Sequence, residues 1–181
     1  MSVRLMVLGV VSANPGTHGY DVQKHLKAWR AETWSRVRSG SIYHALGQLE
    51  KEGHLRHTDP EPSRTGPAKT GHVITPKGVE EFLRLIRQAL VSLEQEDFTA
   101  GVAFMDRITR SEAILLLEER RRRYEEIEHY LQNLPREAEP SAPSTHPEII
   151  GSWEAGFHAT GEWLDGFIER LRSGAYRFEG E

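Results

Sequence analysis

The order of secondary-structure signals in the first half of the chain is the feature that most restricts its fold. Three helical patterns are separated by the turn Asn14-Pro15-Gly16 and by the polar stretch 30–38. Two strand-like segments follow, and Thr75-Pro76 then has the residues of a helix cap and first turn. This order predicts a winged helix-turn-helix domain over residues 1–92, whose hairpin is the wing. The helices and strands are expected at 3–12, 19–29, 39–52, 55–58, 71–74 and from 76 onward.

The second half predicts a helical, coiled-coil-like domain over residues 93–181. Thr109 and Glu112 have the spacing of a capping box, and a loop rich in proline spans about 135–147. Apolar residues recur at seven-residue steps on both helices, which is typical of a dimerisation seam. The alternative is that both helices pack back on the first domain. The residues expected at a dimer interface are Leu117, Tyr124, Ile127, Leu131, Trp153, Phe157, Leu164, Phe167 and Leu171.

Charge is unevenly distributed along the chain. Residues 1–92 carry 13 lysines and arginines against 8 acidic residues, whereas residues 93–181 carry 10 against 19. A basic first half favours a polyanionic partner. The chain has no cysteine and no apolar run long enough to cross a bilayer, and we interpret the apolar start, 1–11, as a core helix. We therefore expect a cytoplasmic protein without membrane contact.

The third helix has two distinct faces. Ile42, Ala45, Leu46 and Leu49 share one face, which we expect to pack inward. The opposite face can enter a DNA major groove, since glutamine pairs with adenine edges and serine and histidine donate or accept hydrogen bonds. An ordinary solvated helix face has the same pattern. The residues expected to contact bases are Ser41, His44 and Gln48.

Further residues are expected to position phosphates. Helix-start amides near Ser39 attract anions, and the phenols of Tyr20 and Tyr43 can donate to phosphate oxygens. Tyr43 has the alternative of packing against the second helix. The basic residues expected to contact the DNA backbone, including two in the wing loop, are Lys24, Arg36, Arg38, Arg64 and Lys69.

The first half of the chain resembles the PadR family of bacterial transcriptional regulators. The similarity covers residues 1 to about 92 and continues into a segment near 97–106 that resembles the longer branch of the family. Its motifs are Gly19-Tyr20-Asp21-Val22, Ser39-Gly40-Ser41-Ile42-Tyr43-His44-Ala45-Leu46, Leu49-Glu50-Lys51-Glu52-Gly53-His54-Leu55, Gly66-Pro67-Ala68-Lys69 and Ile74-Thr75-Pro76-Lys77-Gly78.

The resemblance implies a homodimer that binds a two-fold symmetric operator on double-stranded DNA, usually as a repressor. It also implies release by a small molecule, such as a phenolic acid or a drug, or by another signal. Two residues depart from the family pattern in the wing, where His72 replaces an aromatic residue and Gly71 an apolar one. These departures affect the expected wing contacts.

Other kinds of chemistry have weaker support. No phosphate-binding loop or nucleophile–base spacing is present, so we expect neither an enzyme nor a cofactor. His54 and His57 are three residues apart without a completing ligand, and we expect no metal site. Trp163 and Trp153 can stack on an aromatic effector. The rival function is a winged-helix protein-interaction adaptor that does not bind DNA.

Overall fold

The computed structural model describes residues 2–35, 37–58, 71–134 and 143–179. The chain divides into two units, Met1–Ile108 and Thr109–Glu181. The sequence suggested a boundary at residue 92, whereas the structure groups residues 93–108 with the first unit. The reason is a helix that packs on the first domain, and the backbone N–H of Ser2 donates to Asp97 Oδ1 at 2.8 Å.

The first unit is built around its N-terminal helix, α1. This helix is buried from Leu5 to Val11 because helices and a strand contact it on several sides. Such burial explains why its sequence is apolar on every face. The elements of this unit are α1 (Ser2–Ala13), α2 (Gly19–Ala28), α3 (Ala31–Trp34), α4 (Ser39–Lys51), β1 (Leu55–His57), β2 (His72–Ile74), α5 (Pro76–Leu90), α6 (Gln95–Val102) and a 3₁₀ turn (Met105–Arg107).

Helices α2 and α4 form the helix-turn-helix, and α3 lies between them. The sequence predicted only a polar stretch where α3 forms. Arg30 adopts a left-handed conformation (φ 52°) between α2 and α3 and so redirects the chain. The indole Nε1 of Trp34 donates to the carbonyl of Trp29 at 3.2 Å, which ties α3 to the end of α2.

The wing strands β1 and β2 pair antiparallel, with Leu55 opposite Ile74 and His57 opposite His72. A bridge between Thr17 and His72 adds the segment before α2 to this sheet. Gly71 makes that bridge possible, because a Cβ there would lie 2.1 Å from the carbonyl oxygen of Gly16. The departure from an apolar residue at position 71 therefore has a steric cause.

Helix α5 begins as the sequence predicted. Thr75 is its N-cap, and its hydroxyl accepts from the N–H of Gly78 at 3.0 Å, with Pro76 in the first turn. Helix α6 and the 3₁₀ turn then continue along α5 and α1. The ring of Phe104 contacts Phe82 edge-on at 5.4 Å between centroids, so this segment is part of the core of the first unit.

The second unit is an antiparallel pair of long helices, α7 (Arg110–Gln132) and α8 (His146–Arg172). The Thr109 hydroxyl accepts from the N–H of Glu112, as the capping pattern predicted. The seven-residue rows were expected to form an interface with a second chain. In the structure, α7 and α8 pack on each other along most of these rows within one chain. The predicted interface residues buried in this way are Leu117, Tyr124, Leu131, Leu164, Phe167 and Leu171.

The remaining predicted interface residues have different surroundings. Phe157 is half-buried with its ring 5.3 Å from that of Tyr124, and Ile127 is also half-buried. Trp153 is 54% exposed. Only this part of the predicted interface therefore remains accessible on a single chain.

Arg120 lies within the packed seam and is fully buried. Its guanidinium donates to the Tyr124 hydroxyl at 2.9 Å and lies over the same ring. Burial lowers the pKa of Arg120. The neighbouring arginines form ion pairs at i, i+4 spacing, Arg121 with Glu125 at 3.4 Å and Arg123 with Glu119 at 3.1 Å. Arg121 also contacts Asp165 of α8 at 3.0 Å. Among the described residues, no helix has the length and apolar character required to cross a membrane.

Candidate nucleic-acid interface

The inward face of α4 is the one that the sequence predicted. Ile42, Ala45, Leu46 and Leu49 are all at most 6% exposed and pack toward α1 and α2. This packing fixes which side of α4 faces outward. Its last turn is also held, because Arg4 of α1 donates to both carboxylate oxygens of Glu52 at 3.2 and 2.7 Å. These hydrogen bonds lower the pKa of Glu52.

The outward face of α4 combines two large side chains with two glycines. Tyr43 is 51% exposed and His44 is exposed, whereas Gln48 is half-buried. Gly40 and Gly47 are exposed, and a Cβ at either would have no atom within 4 Å. The backbone of α4 is therefore bare at two points along its outward face, where another molecule can approach closely.

The two serines at the start of α4 already have partners in the chain. The Ser41 hydroxyl accepts from the backbone N–H of Arg38 at 2.9 Å and donates to its carbonyl at 2.7 Å. The side-chain amide of Gln23 donates to the Ser39 hydroxyl. These contacts anchor the first turn of α4 and engage the Ser41 hydroxyl with the backbone of Arg38.

The two phenols that flank the helix-turn-helix differ in their surroundings. The ring of Tyr43 packs against the start of α2, since a Cβ at Gly19 would lie 2.8 Å from its Cε1 atom. The packing alternative for Tyr43 is therefore present, although half of the residue stays exposed. Tyr20 is 68% exposed on α2.

The basic residues of this region lie on α2 and around α4. Lys24 and Arg38 are exposed, as is Lys51 in the last turn of α4. Arg36, Arg64 and Lys69 lie outside the described residues, so the structure gives no position for their side chains. From the sequence, no DNA contact was expected at Lys51, Gly40 or Gly47. The signal for Gly47 was its position inside a helix, where glycine is unfavourable.

The two tryptophans expected to bind an effector lie on α8. Trp163 is 47% exposed and stacks on Phe167 at 5.1 Å between ring centroids. Neither Trp163 nor Trp153 lines the cavity of about 440 Å³ between α7 and α8, which is bordered by Glu128, Gln132 and His158, among others. A second cavity, of about 500 Å³, lies in the helix-turn-helix between α2, α3 and the start of α4.

Comparison with known proteins gives one family match. Residues 7–84 match the model of the transcriptional regulator PadR-like family. This match confirms the resemblance inferred from the motifs, and it runs from the middle of α1 into α5. No curated protein sequence matches the chain.

Several solved structures are similar in fold. PadR from Bacillus subtilis in complex with operator DNA has 19% identity and a TM-score of 0.42, covering 94% of this chain and 99% of that one. The PadR-like regulator BC1756 from Bacillus cereus has 22% identity and a TM-score of 0.40, covering 94% and 96%. Bacillus subtilis PadR in complex with p-coumaric acid has 18% identity and a TM-score of 0.38, covering 95% and 99%.

Proposed function

We propose that this chain is a PadR-like transcriptional regulator and that it acts as a homodimeric repressor of its target genes, because residues 7–84 match the PadR-like family model. The observation that carries the proposal is the outward face of α4. That face is exposed, includes two glycines with open space beside them, and lies on the second helix of a helix-turn-helix. In this motif the second helix enters the major groove.

The proposed base contacts come from the middle of α4. His44 and Gln48 reach base edges, and Gly47 lets the helix backbone approach the groove closely. The Ser41 hydroxyl can still accept a hydrogen bond from a base, because its two bonds to Arg38 leave one of its lone pairs unused. Two such helices, one from each protomer, would read half-sites about 34–36 Å apart.

The proposed phosphate contacts surround α4. The hydroxyls of Tyr20 and Tyr43 donate to phosphate oxygens, and exposed cations add Coulomb attraction. Ser39 orients the first turn through its bond to Gln23. The basic residues in this proposed role are Lys24, Arg38, Arg36, Arg64 and Lys69, of which the last three lie outside the described part of the chain.

We assign dimerisation to the outward side of α8. Ile149, Trp153 and Trp163 are 42%, 54% and 47% exposed. At 3.6 residues per turn, their side chains lie within about 80° of one another around the helix. Three large apolar residues on one exposed face favour association with a second copy of the chain, because burying them removes apolar surface from water. We call this surface the α8 stripe.

The effector proposal concerns the same tryptophans. An aromatic small molecule, such as a phenolic acid, would stack on Trp163 and Trp153 where two α8 stripes meet. Binding there would change the distance between the two α4 helices and so lower operator affinity. Equal helix spacing in ligand-bound and ligand-free dimers would contradict this mechanism, and p-coumaric acid is a suitable first probe.

The DNA proposal is tested by fluorescence anisotropy on the region upstream of the protein's own gene, with random duplex as competitor. We expect tight binding that survives the competitor and weakens with salt, because each neutralised phosphate releases counterions. Lys24→Ala should flatten the slope of log K against log salt by about 1 for each phosphate that is no longer neutralised.

Arg177→Ala is the matched control for Lys24→Ala. It removes one exposed positive charge from the second unit and should leave the salt slope unchanged. If the protein binds neither this region nor genome-selected fragments better than random duplex, the adaptor function replaces the repressor proposal.

A further inference from the structure

Three side chains from three different elements converge at the base of the wing. Glu50 lies in the last turn of α4, His57 on β1 and His72 on β2. Glu50 Oε1 is 3.2 Å from His57 Nε2 and 2.7 Å from His72 Nδ1. One potential metal-ligand atom from each residue lies within 4.8 Å of the other two.

We propose that Glu50, His57 and His72 form a binding site for a divalent transition-metal ion of the Zn²⁺ type. Two imidazoles and one carboxylate are a known zinc ligand set, with a fourth position left for water. Ligand atoms about 2.0–2.2 Å from a tetrahedral ion lie roughly 3.3–3.5 Å from one another, so small side-chain shifts would suffice here.

The surroundings of the carboxylate and imidazole atoms support the proposal that a metal ion binds between them. Glu50 Oε1 and His72 Nδ1 are buried, and neither has a hydrogen-bond partner within the part of the chain that is described. The two atoms lie 2.7 Å apart, which is the distance of an ion pair between an imidazole and a carboxylate. Buried polar atoms without a hydrogen bond are rare and require an explanation, and a bound ion would satisfy both.

The backbone holds His72 in place independently of its side chain. Its N–H donates to the Thr17 carbonyl at 2.8 Å, and its carbonyl accepts from the N–H of Gly16 at 2.9 Å. His57 is half exposed and leaves a path for an ion to enter.

A bound ion would connect α4 to both strands of the wing. Since α4 carries the proposed base contacts, the ion would fix the base of the wing relative to that helix. Sequence reasoning paired His57 with His54, which is nearby in the chain. In the structure, His57 lies beside Glu50 and His72 instead. The spacing of these three residues in the sequence matches no simple metal-binding motif.

The test is isothermal titration of ZnCl₂ into tag-free, EDTA-treated full-length protein without DNA. We expect one Zn²⁺ per chain and a rise in Tm on binding. His57→Gln should weaken binding by at least about tenfold, and Glu50→Gln and His72→Gln should do the same. Co²⁺ in place of Zn²⁺ should give the intense visible absorption of tetrahedral coordination.

His54→Gln is the control, because it removes a histidine of the same hairpin that is not among the three ligands. It should bind Zn²⁺ like the wild type. His57→Gln keeps the test decisive, since this exposed position can change without disrupting the fold, as circular dichroism will verify. If the wild type takes up no Zn²⁺, or if His57→Gln takes it up equally tightly, the proposal fails, whatever the outcome with DNA.

Discussion

At the scale of single residues, Gly71 determines how the wing joins the rest of the first unit. The β2 backbone passes so close to the turn before α2 that an added Cβ would be 2.1 Å from the Gly16 carbonyl oxygen. Gly16 itself has a positive φ of 84°, so this turn cannot shift freely to make room. The close approach also permits the two hydrogen bonds that hold His72.

Gly71→Ala should therefore destabilise the protein. The added methyl group must push β2 away from the turn, and we expect the free energy of unfolding to fall by about 1–3 kcal/mol. Urea denaturation followed by circular dichroism measures this change. Gly40→Ala is the control, because a Cβ at that position meets nothing within 4 Å. An unchanged stability for Gly71→Ala would mean that the strand can move without cost.

Other residue-scale features could not be predicted from the sequence. Ser41 has the spacing of a base-contacting residue, yet its hydroxyl bonds locally to Arg38. A base contact and a local bond are both compatible with this sequence, because serine hydroxyls at helix starts often hydrogen-bond to nearby backbone groups. Similarly, the ring of Tyr43 reaches Gly19 only because α2 and α4 cross there.

At the scale of elements, α4 shows a conflict between stability and its proposed role. Glycine inside a helix costs about 0.5–1 kcal/mol relative to alanine, and Gly47 has open space where a methyl group would lie. Gly47→Ala should raise the free energy of unfolding by that amount and lower operator affinity about tenfold, or about 1.4 kcal/mol. Denaturation and fluorescence anisotropy measure the two effects separately.

The matched control is Gly151→Ala on α8, where a Cβ also meets no atom within 4 Å. It should give the same gain in stability without a change in DNA affinity. If Gly47→Ala binds the operator as tightly as the wild type, the backbone of α4 does not approach the groove at this point.

The helices and their buried faces were largely predictable, because hydrophobic periodicity depends only on neighbouring residues. The inward face of α4 and the caps at Thr75 and Thr109 are examples. Features set by tertiary contacts were not predictable. Helix α3 forms in a polar stretch, and the cluster of Glu50, His57 and His72 depends on how the wing strands pair.

At the scale of the whole molecule, the two halves of the chain differ in charge and in exposed apolar surface. The basic first half contains the proposed DNA-binding face, and the acidic second half contains the α8 stripe. Six of the nine residues that the heptad rows placed at an interface are buried, whereas Ile127 and Phe157 are half-buried and Trp153 is exposed. The heptad rows did not predict the partner, because a seam satisfied within one chain has the same period as a seam between two chains.

The stripe and the seam can be distinguished by mutation. Trp153→Gln removes a large apolar side chain from the α8 stripe and should weaken dimerisation by about tenfold or more, since buried aromatic anchors dominate interfaces. Leu117→Ala, in the seam, should instead lower the free energy of unfolding by about 2–5 kcal/mol, because it leaves a cavity between α7 and α8. Sedimentation velocity and denaturation measure the two outcomes.

Leu115→Gln is the control for the stripe, because Leu115 is 64% exposed on α7 and lies outside the proposed interface. It should leave the dimer intact.

A Trp153→Gln monomer would also present a single α4 helix to DNA, so its salt slope should fall to about half that of the dimer, because it would neutralise only half as many phosphates. If instead Leu115→Gln dissociates the dimer and Trp153→Gln does not, the interface lies on α7, and the effector proposal must be separated from dimerisation.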